Sequence, residues 1–423
     1  MKNSAKRREE GQGGSFQQLV FAAMADARST LHDAVVQAGM TVLGAMLEED
    51  RAKLCGRRYE HNADRTATRA GFTAGELAMG GRRVSIERPR VRSSKGEIQL
   101  PTWERFAAAD PLTPRAVEQM VLGVSTRNYA RSIEPAPAHV PSRGTSKSAV
   151  SRRFVVATRE QMAQMMSRDL GLLSLCAMMI DGIHVDEHLV LVALGIDEQG
   201  EKHVLGLYEG ATENSTVCIA LLTDLAARGM RVDRSMLFVI DGSKAMAKAI
   251  RSVVGTKAII QRCQVHKRRN VEDHLPEDMK KRVGRTISAA YTSDNAPRAK
   301  RMLEGLARQL EKKHPAAAAS LREGLDETLT VLRFGLPPWL ARTLATTNPI
   351  EFINGRIRKT THNVTKWESG EMVLRWLSLA LDEASKTFRK LRGYKGMPKL
   401  VAALRAHDEN IKPSTVDAST EAA

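Results

Sequence analysis

Three acidic residues stand where acids are out of place. Asp181 interrupts the apolar run LCAMMIDGIHV at Leu175–Val185, Asp241 closes LFVID, and Glu351 opens the segment TTNPIEFINGRIR. Carboxylate oxygens are the ligands of hard divalent cations, and a protein that uses such ions must gather acids from separate elements. Two ions about 3.5–4 Å apart activate an oxygen nucleophile and stabilise a leaving oxygen, which is the chemistry of phosphoryl transfer on nucleic acid. Each acid also has an ordinary alternative. Asp181 can be a turn acid, Asp241 can cap the next helix, and Glu351 can complete a capping box begun by Asn348. Asp186, Asp197 and Asp224 are weaker candidates, in turns or on a helix surface.

The elements around these acids say whether they can meet. Leu175–Val185, His188–Asp197 and residues 201–210 are apolar runs at hairpin spacing, which predicts an antiparallel meander. A helix over 212–227 follows, capped by Thr212 and ended by Gly229. Then come a buried strand at 236–241, a helix to about Val254 with a basic face (Lys244, Lys248, Arg251), and a strand at 257–262. Three strands, helix, strand, helix, strand is the order of an RNase H-like α/β core, in which the first strand lies beside the strand after the first helix. Asp181 and Asp241 then meet. From 266 to 338 no strand is expected, only helices at 278–291, 297–312 and 315–332, an all-helical insertion. The chain then restarts with Asn348 as cap, Pro349 at the first helical position and Glu351 at the third. Ile350, Ile353 and Ile357 share the face that packs on the sheet, while Asn354 and Arg358 share the face of Glu351. Amphipathic helix continues to about Arg405.

The net charge of +17 and a pI near 9.9 point to a polyanionic partner. Four widely spaced cysteines do not make a disulfide framework and suit a reducing, intracellular compartment. MKNSAKRREEGQGG is polar and unlike a signal peptide, and no apolar run reaches the length of a membrane span. Residues 16–54 read as a core or dimerisation helix. Residues 51–106 hold 13 Lys and Arg against 6 acids. Within them RRVSIERPRVRSSKGEIQLP predicts a small hairpin turning at 93–96, with Arg88, Arg90 and Arg92 on a face that is either solvated or laid on DNA backbone. Further on, Leu112–Val121 reads as one helix, and GVSTRNYA and GTSKSAVSRRF predict two later ones, one starting at Ser125 and one bearing Lys147, Arg152 and Arg153. The pair suggests a helix-turn-helix or an ordinary helical linker, separated by a proline-rich break at 134–137.

The motifs IDG at 180–182, VIDGSKAM at 239–246, QRCQVHKRRN at 261–270 and TNPIEFINGRIRK at 347–359 resemble, in this order, the DDE transposases of bacterial insertion sequences in the Mutator-like group. The resemblance spans roughly residues 50–395 and includes the LPTWERF and GVST…AVSR segments of the N-terminal DNA-binding region. It implies a catalytic triad of Asp181, Asp241 and Glu351 binding two Mg²⁺ (or Mn²⁺) ions. It also implies a Cys263-x-x-His266 signature after the last core strand. That pair is half a zinc site with its other half missing, so no zinc is expected. Cys263 is then a small buried residue, and His266 lies near the scissile phosphate or makes a structural hydrogen bond.

The implied reaction is cleavage at the terminal inverted repeats, followed by attack of the freed 3′-hydroxyl on double-stranded target DNA. A homo-oligomer on DNA in the bacterial cytoplasm would carry it out, with no membrane and no nucleotide-binding motif. The corresponding organisation is an N-terminal helical region (1–54), a basic β-hairpin region (55–106), and a helix-turn-helix-like region (107–168). The core follows in a first part (169–265), then the helical insertion (266–340), the core C-terminal helices carrying the third acid (341–395) and a tail (396–423). The rival readings are an RNase H-like nuclease without strand transfer and a non-catalytic, transposase-derived DNA-binding protein.

Overall fold

The computed structural model describes residues 16–59, 65–79, 81–133, 140–210 and 214–411, with side chains from residue 31 onward. It is a mixed α/β protein that divides between Phe154 and Val155 into two compact units. Among the described residues, no helix is long and apolar enough to cross a membrane.

The first unit begins with helix α1 (Phe16–Cys55). Val36, Leu43 and Leu47 recur at helical spacing and pack on a sheet of β1 (Thr68–Met79), β2 (Arg82–Ser93) and β3 (Gly96–Ile98). The main hairpin is β1–β2, antiparallel from Thr68↔Arg92 to Met79↔Arg82, and the turn at 93–96 only adds the short β3. The sequence conceals β1 because Leu77 is its one buried side chain, so the backbone ladder, not apolar alternation, holds it. Helices α2 (Pro101–Ala108) and α3 (Leu112–Val121) follow. Ser125 opens no helix: its Oγ accepts the Asn128 N–H at 3.4 Å in a turn leading to a single 3₁₀ turn anchored by buried Tyr129. The proline-rich break lies outside the described residues. Strand β4 (Ser142–Arg143) then adds to β2, and α4 (Lys147–Ser167) spans the division.

The second unit is built on β5 (Leu175–Val185), β6 (His188–Asp197) and β7 (Lys202–Gly210), then α5 (Ser215–Ala227), β8 (Met236–Ile240), α6 (Lys244–Val254) and β9 (Ala258–Arg262). The expected cap Thr212 lies outside the described residues, and Asn214 caps α5 through the Val217 N–H. The strand order is β7-β6-β5-β8-β9. β5–β6 and β6–β7 are antiparallel, and β5–β8 and β8–β9 are parallel. Strand residues alternate between two cores. Met178, Ile180, Phe238 and Ile240 face α5 and α6, while Ala177, Met179, Leu237 and Val239 face the opposite side.

Helices α7 (Gln264–Glu272), α8 (Glu277–Tyr291), α9 (Ala296–Glu311), α10 (Pro315–Arg322), α11 (Leu325–Thr328), α12 (Thr330–Arg333) and α13 (Pro338–Leu344) follow β9. Val271, Ile287, Leu303 and Leu321 belong to a separate apolar core that α7–α11 share, while Val331 of α12 and Leu340 and Leu344 of α13 pack in the sheet core. The continuous helix expected over 315–332 is broken. Gly324 takes φ +60°, and a Cβ there would lie 2.5 Å from the Arg262 guanidinium. The break lets the chain bind β9: Thr330 Oγ1 donates to the Ile260 carbonyl at 2.7 Å, and Gln261 reaches both Val331 N–H and the Thr328 carbonyl. β9, otherwise an open edge, is thereby covered.

Helices α14 (Asn348–Thr361), α15 (Gly370–Ser385) and α16 (Met397–Ile411) close the unit over the second face. Residues 397–411 are not a tail. Met397, Leu400 and Leu404 are buried in the sheet core, and Asp408 accepts from the Ser235 N–H and hydroxyl.

Gly324→Ala puts a Cβ into the left-handed region and against Arg262, which bonds Glu327. The expected loss is about 1–3 kcal/mol in chemical denaturation; an unchanged midpoint would refute this account of the break.

Candidate active site

Asp181 and Asp241 owe their positions to strand register. β5 and β8 run parallel with Ala177 opposite Leu237 and Met179 opposite Val239. The ladder ends at that pair; carried two residues further, the same register leads to Asp181 and Asp241, and the charge of Asp241 acts on Asp181. Because side chains alternate, both carboxylates continue the row of Met179 and Val239, on the face covered by α14. There Ile350, Ile353 and Ile357 pack into the sheet core, which turns Glu351 and Asn354 toward the strand ends. Asn354 donates from Nδ2 to Asp181 Oδ2 at 2.7 Å. Asp181 Oδ1 also accepts the Gly182 N–H at 3.0 Å, and Asp241 Oδ1 accepts the Ser243 N–H at 3.0 Å. The α6 cap is therefore shared: Ser243 Oγ takes the Met246 N–H, while Asp241 braces the turn before it.

Glu351 sits differently from the capping-box expectation. The helix starts one residue earlier, with Thr347 rather than Asn348 as cap, so Glu351 falls at the fourth helical position. Its Oε1 accepts from the Thr347 hydroxyl at 3.0 Å and lies 3.6 Å from His266 Nε2. The same hydroxyl is 3.4 Å from Cys263 Sγ and 3.4 Å from His266 Nδ1. A hydroxyl has one proton to give, and the shortest contact assigns it to Glu351. The Thr347 N–H donates to Cys263 Sγ at 3.4 Å. Cys263 and Thr347 are fully buried. Sequence reasoning missed Thr347, whose signal was only its place before Asn348-Pro349. It also missed that Glu351 joins Cys263 and His266 as a third possible metal donor, the ligand atoms lying within 4.8 Å of one another.

The electrostatics follow from this crowding. Burial, and then the charge of Asp241, push Asp181 up to about 6, with Glu351 adding to the rise and Gly182 and His266 opposing it. Burial pushes the Cys263 thiol up, but hydrogen bonds from His266 and Thr347 outweigh it and leave it below its ordinary value. The bond to Cys263 raises His266, against burial, with help from Cys263, Glu351 and Asp241 charges.

The other singled-out residues divide. Arg358 is exposed, one turn beyond Asn354, with no contact to the acids described. Arg90 grips Glu97 through Nε and Nη2 at 3.1 and 2.6 Å, Arg88 bonds Gln99 and stacks on Trp103, and Arg153 bonds Asp110 and Thr113. Arg92, Lys147 and Arg152 are exposed. Asp197 accepts the Gln199 and Glu201 N–H groups, Asp224 pairs with Arg228, and Asp186 sits at φ 54° in a hairpin turn, so these three acids serve local structure.

Comparison with known proteins decides the family. Residues 15–390 match the family described as Transposase, Mutator family. This chain belongs to that family. Among its relatives is a transposase for insertion sequence element ISRM5 of Rhizobium meliloti, 26% identical over 365 residues that cover 85% of this chain and 90% of the relative. Another is a transposase for IS1081 of Mycobacterium tuberculosis, 24% identical over 89% of this chain and 91% of the relative. A third, for IS406 of Burkholderia multivorans, is 28% identical over 79% and 86%.

The chemistry of this Mutator-family transposase at the strand ends suits a hard divalent cation. The donors are carboxylate oxygens, and the buried Asn354 Oδ1 beside Asp181 has no protein partner. Burial and then the neighbouring Asp241 charge hold Asp181 up, and a cation bound there would offset both. A carboxyl whose folded value exceeds its unfolded one destabilises the fold where it is charged, fully above about 6 and not at all below about 4. Metal-free Asp181→Asn should therefore be more stable than the parent at pH 7.5, by about 1–3 kcal/mol, with the gain vanishing near pH 4. Thermal melts across that range test this, and a destabilised variant at pH 7.5 would contradict it.

Proposed function

We propose that this transposase carries out metal-dependent DNA strand cleavage and strand transfer, with Asp181, Asp241 and Glu351 as metal ligands at the heart of an RNase H-like core. The observation that carries the reading is the matched parallel register of β5 and β8, which gives Asp181 and Asp241 a common side beneath the helix bearing Glu351. Mg²⁺ or Mn²⁺ bound there, as two ions, would activate the attacking oxygen and stabilise the leaving one.

The protein groups have their own tasks. Asn354 orients Asp181, the Ser243 N–H fixes Asp241, and Thr347 fixes Glu351. His266, 3.6 Å from Glu351, is the group that would meet the scissile phosphate. The DNA substrate is the terminal inverted repeat and then a double-stranded target, as befits a chain of net charge +17. Arg92, Lys147, Arg152 and Arg358 are the exposed cations offered for backbone contact, whereas Arg88, Arg90 and Arg153 would first exchange their Glu97, Gln99 and Asp110 partners. Pairing two element ends calls for at least two copies on DNA.

Incubating the chain with terminal-repeat duplex, Mg²⁺ and a target plasmid should yield cleaved ends and joined products. Asp241→Asn should lower both by about two orders of magnitude or more while terminal-repeat binding in a gel-shift assay persists. Cleavage that survives this change would overturn the triad, and nicking without joined products would favour a nuclease.

A further inference from the structure

Cys263 and His266 stand apart from the oxygen donors used above, yet they share one residue with them. Cys263 is locked at the junction of β9 and α7: its N–H donates to the Ile240 carbonyl at 2.7 Å, and the next N–H, of Gln264, donates to Ala345 at 2.9 Å. His266 is one helical turn on, so the two side chains come to the same side. Glu351 arrives from α14, and its Oε1 is 3.6 Å from His266 Nε2. Sulfur, nitrogen and oxygen atoms of the three residues all lie within 4.8 Å of one another.

We propose that Cys263, His266 and Glu351 form a second metal site, selective for a thiophilic divalent cation such as zinc, which draws Glu351 away from the hard-cation site. Zinc bonds of about 2.3 Å to sulfur and 2.0–2.2 Å to nitrogen and oxygen set tetrahedral ligand atoms about 3.3–3.6 Å apart. The His266–Glu351 pair already has that spacing, and closing the remainder takes about 1 Å of side-chain movement, within reach of a Cys χ1 or Glu χ adjustment. Three protein donors leave a fourth position for water or a DNA oxygen, on the side where His266 and Glu351 are partly exposed. Thr347 is then an outer donor that orients Glu351 by its hydroxyl and Cys263 by its N–H. Magnesium competes only through the shared Glu351 and does not displace the thiophilic ion, because a thiolate and an imidazole disfavour hard cations. Binding displaces the thiol proton to solvent, and the thiolate, the glutamate and the dication then balance in charge.

Competition for Glu351 rests on the proposed role of that residue, but the site itself does not, and the experiment separates them. The metal-stripped full chain is titrated with Co²⁺ without DNA and followed by its thiolate-to-cobalt charge-transfer band and tetrahedral d–d absorption. A saturable thiolate band is expected that millimolar Mg²⁺ does not remove. It should vanish in Cys263→Ser, weaken in His266→Ala and Glu351→Gln, and persist in Asp241→Asn. No thiolate band in the parent, or an equal band in Cys263→Ser, would overturn the site. If Cys263→Ser fails to fold by circular dichroism, a band unchanged in both His266→Ala and Glu351→Gln overturns it equally. Zn²⁺ should then lower Mg²⁺-supported cleavage several-fold in the parent. Cobalt binding without that inhibition would refute the competition while keeping the site, whereas cleavage insensitive to Asp241→Asn would refute the triad alone.

Discussion

Like charge gathered in a half-buried place is the constraint on which the rest of this structure depends. Asp181 and Asp241 are set side by side by the parallel pairing of β5 and β8, and the raised Asp181 records the cost. Such a pair persists only where the surroundings over-determine it. Here both faces of the sheet are covered by helices, and β8 and the stretch of β5 that leads to Asp181 are buried. The two strands cannot slip by one residue without exchanging their core faces, so packing fixes the acids in place.

The third proposed ligand is positioned by a different device. Ile350, Ile353 and Ile357 dock α14 on the sheet, and Thr347 holds Glu351 through a side-chain bond. Helices α7–α11 have their own apolar core, and the segment from α11 to α12 returns to brace the sheet edge through Gln261, Thr330 and the Arg262–Glu327 pair. The long sequence gap between Asp241 and Glu351 is thus occupied by a body that covers β9.

Much of this was legible in the sequence, for stateable reasons. An acid inside or at the end of a fully apolar run is conspicuous, so Asp181 and Asp241 stood out, and the strands β5 to β9 announced themselves by composition. Pro349 marked the start of α14 to within a residue. What escaped depended on contacts between distant segments. Gly324 breaks a helix because Arg262 needs the space, and nothing local says so. β1 is held by its partner's backbone more than by its own side chains. Thr347 is an ordinary threonine until Cys263, His266 and Glu351 meet around it. The arginines of β2 looked available, but the structure gives Arg88 and Arg90 partners in Gln99 and Glu97 on the neighbouring segment.

The proposed convergence of Asp181, Asp241 and Glu351 on a hard-cation site can be tested directly by replacing Mg²⁺ with Fe²⁺ in the full chain and generating hydroxyl radicals with ascorbate and peroxide. Radicals cut the backbone beside the bound ion. Mass spectrometry of the fragments should show cuts beside residues 181, 241 and 351 together, suppressed by excess Mg²⁺ and lost in Asp241→Asn. Cuts that spare residues 181 and 241, or that Mg²⁺ does not suppress, would contradict the account.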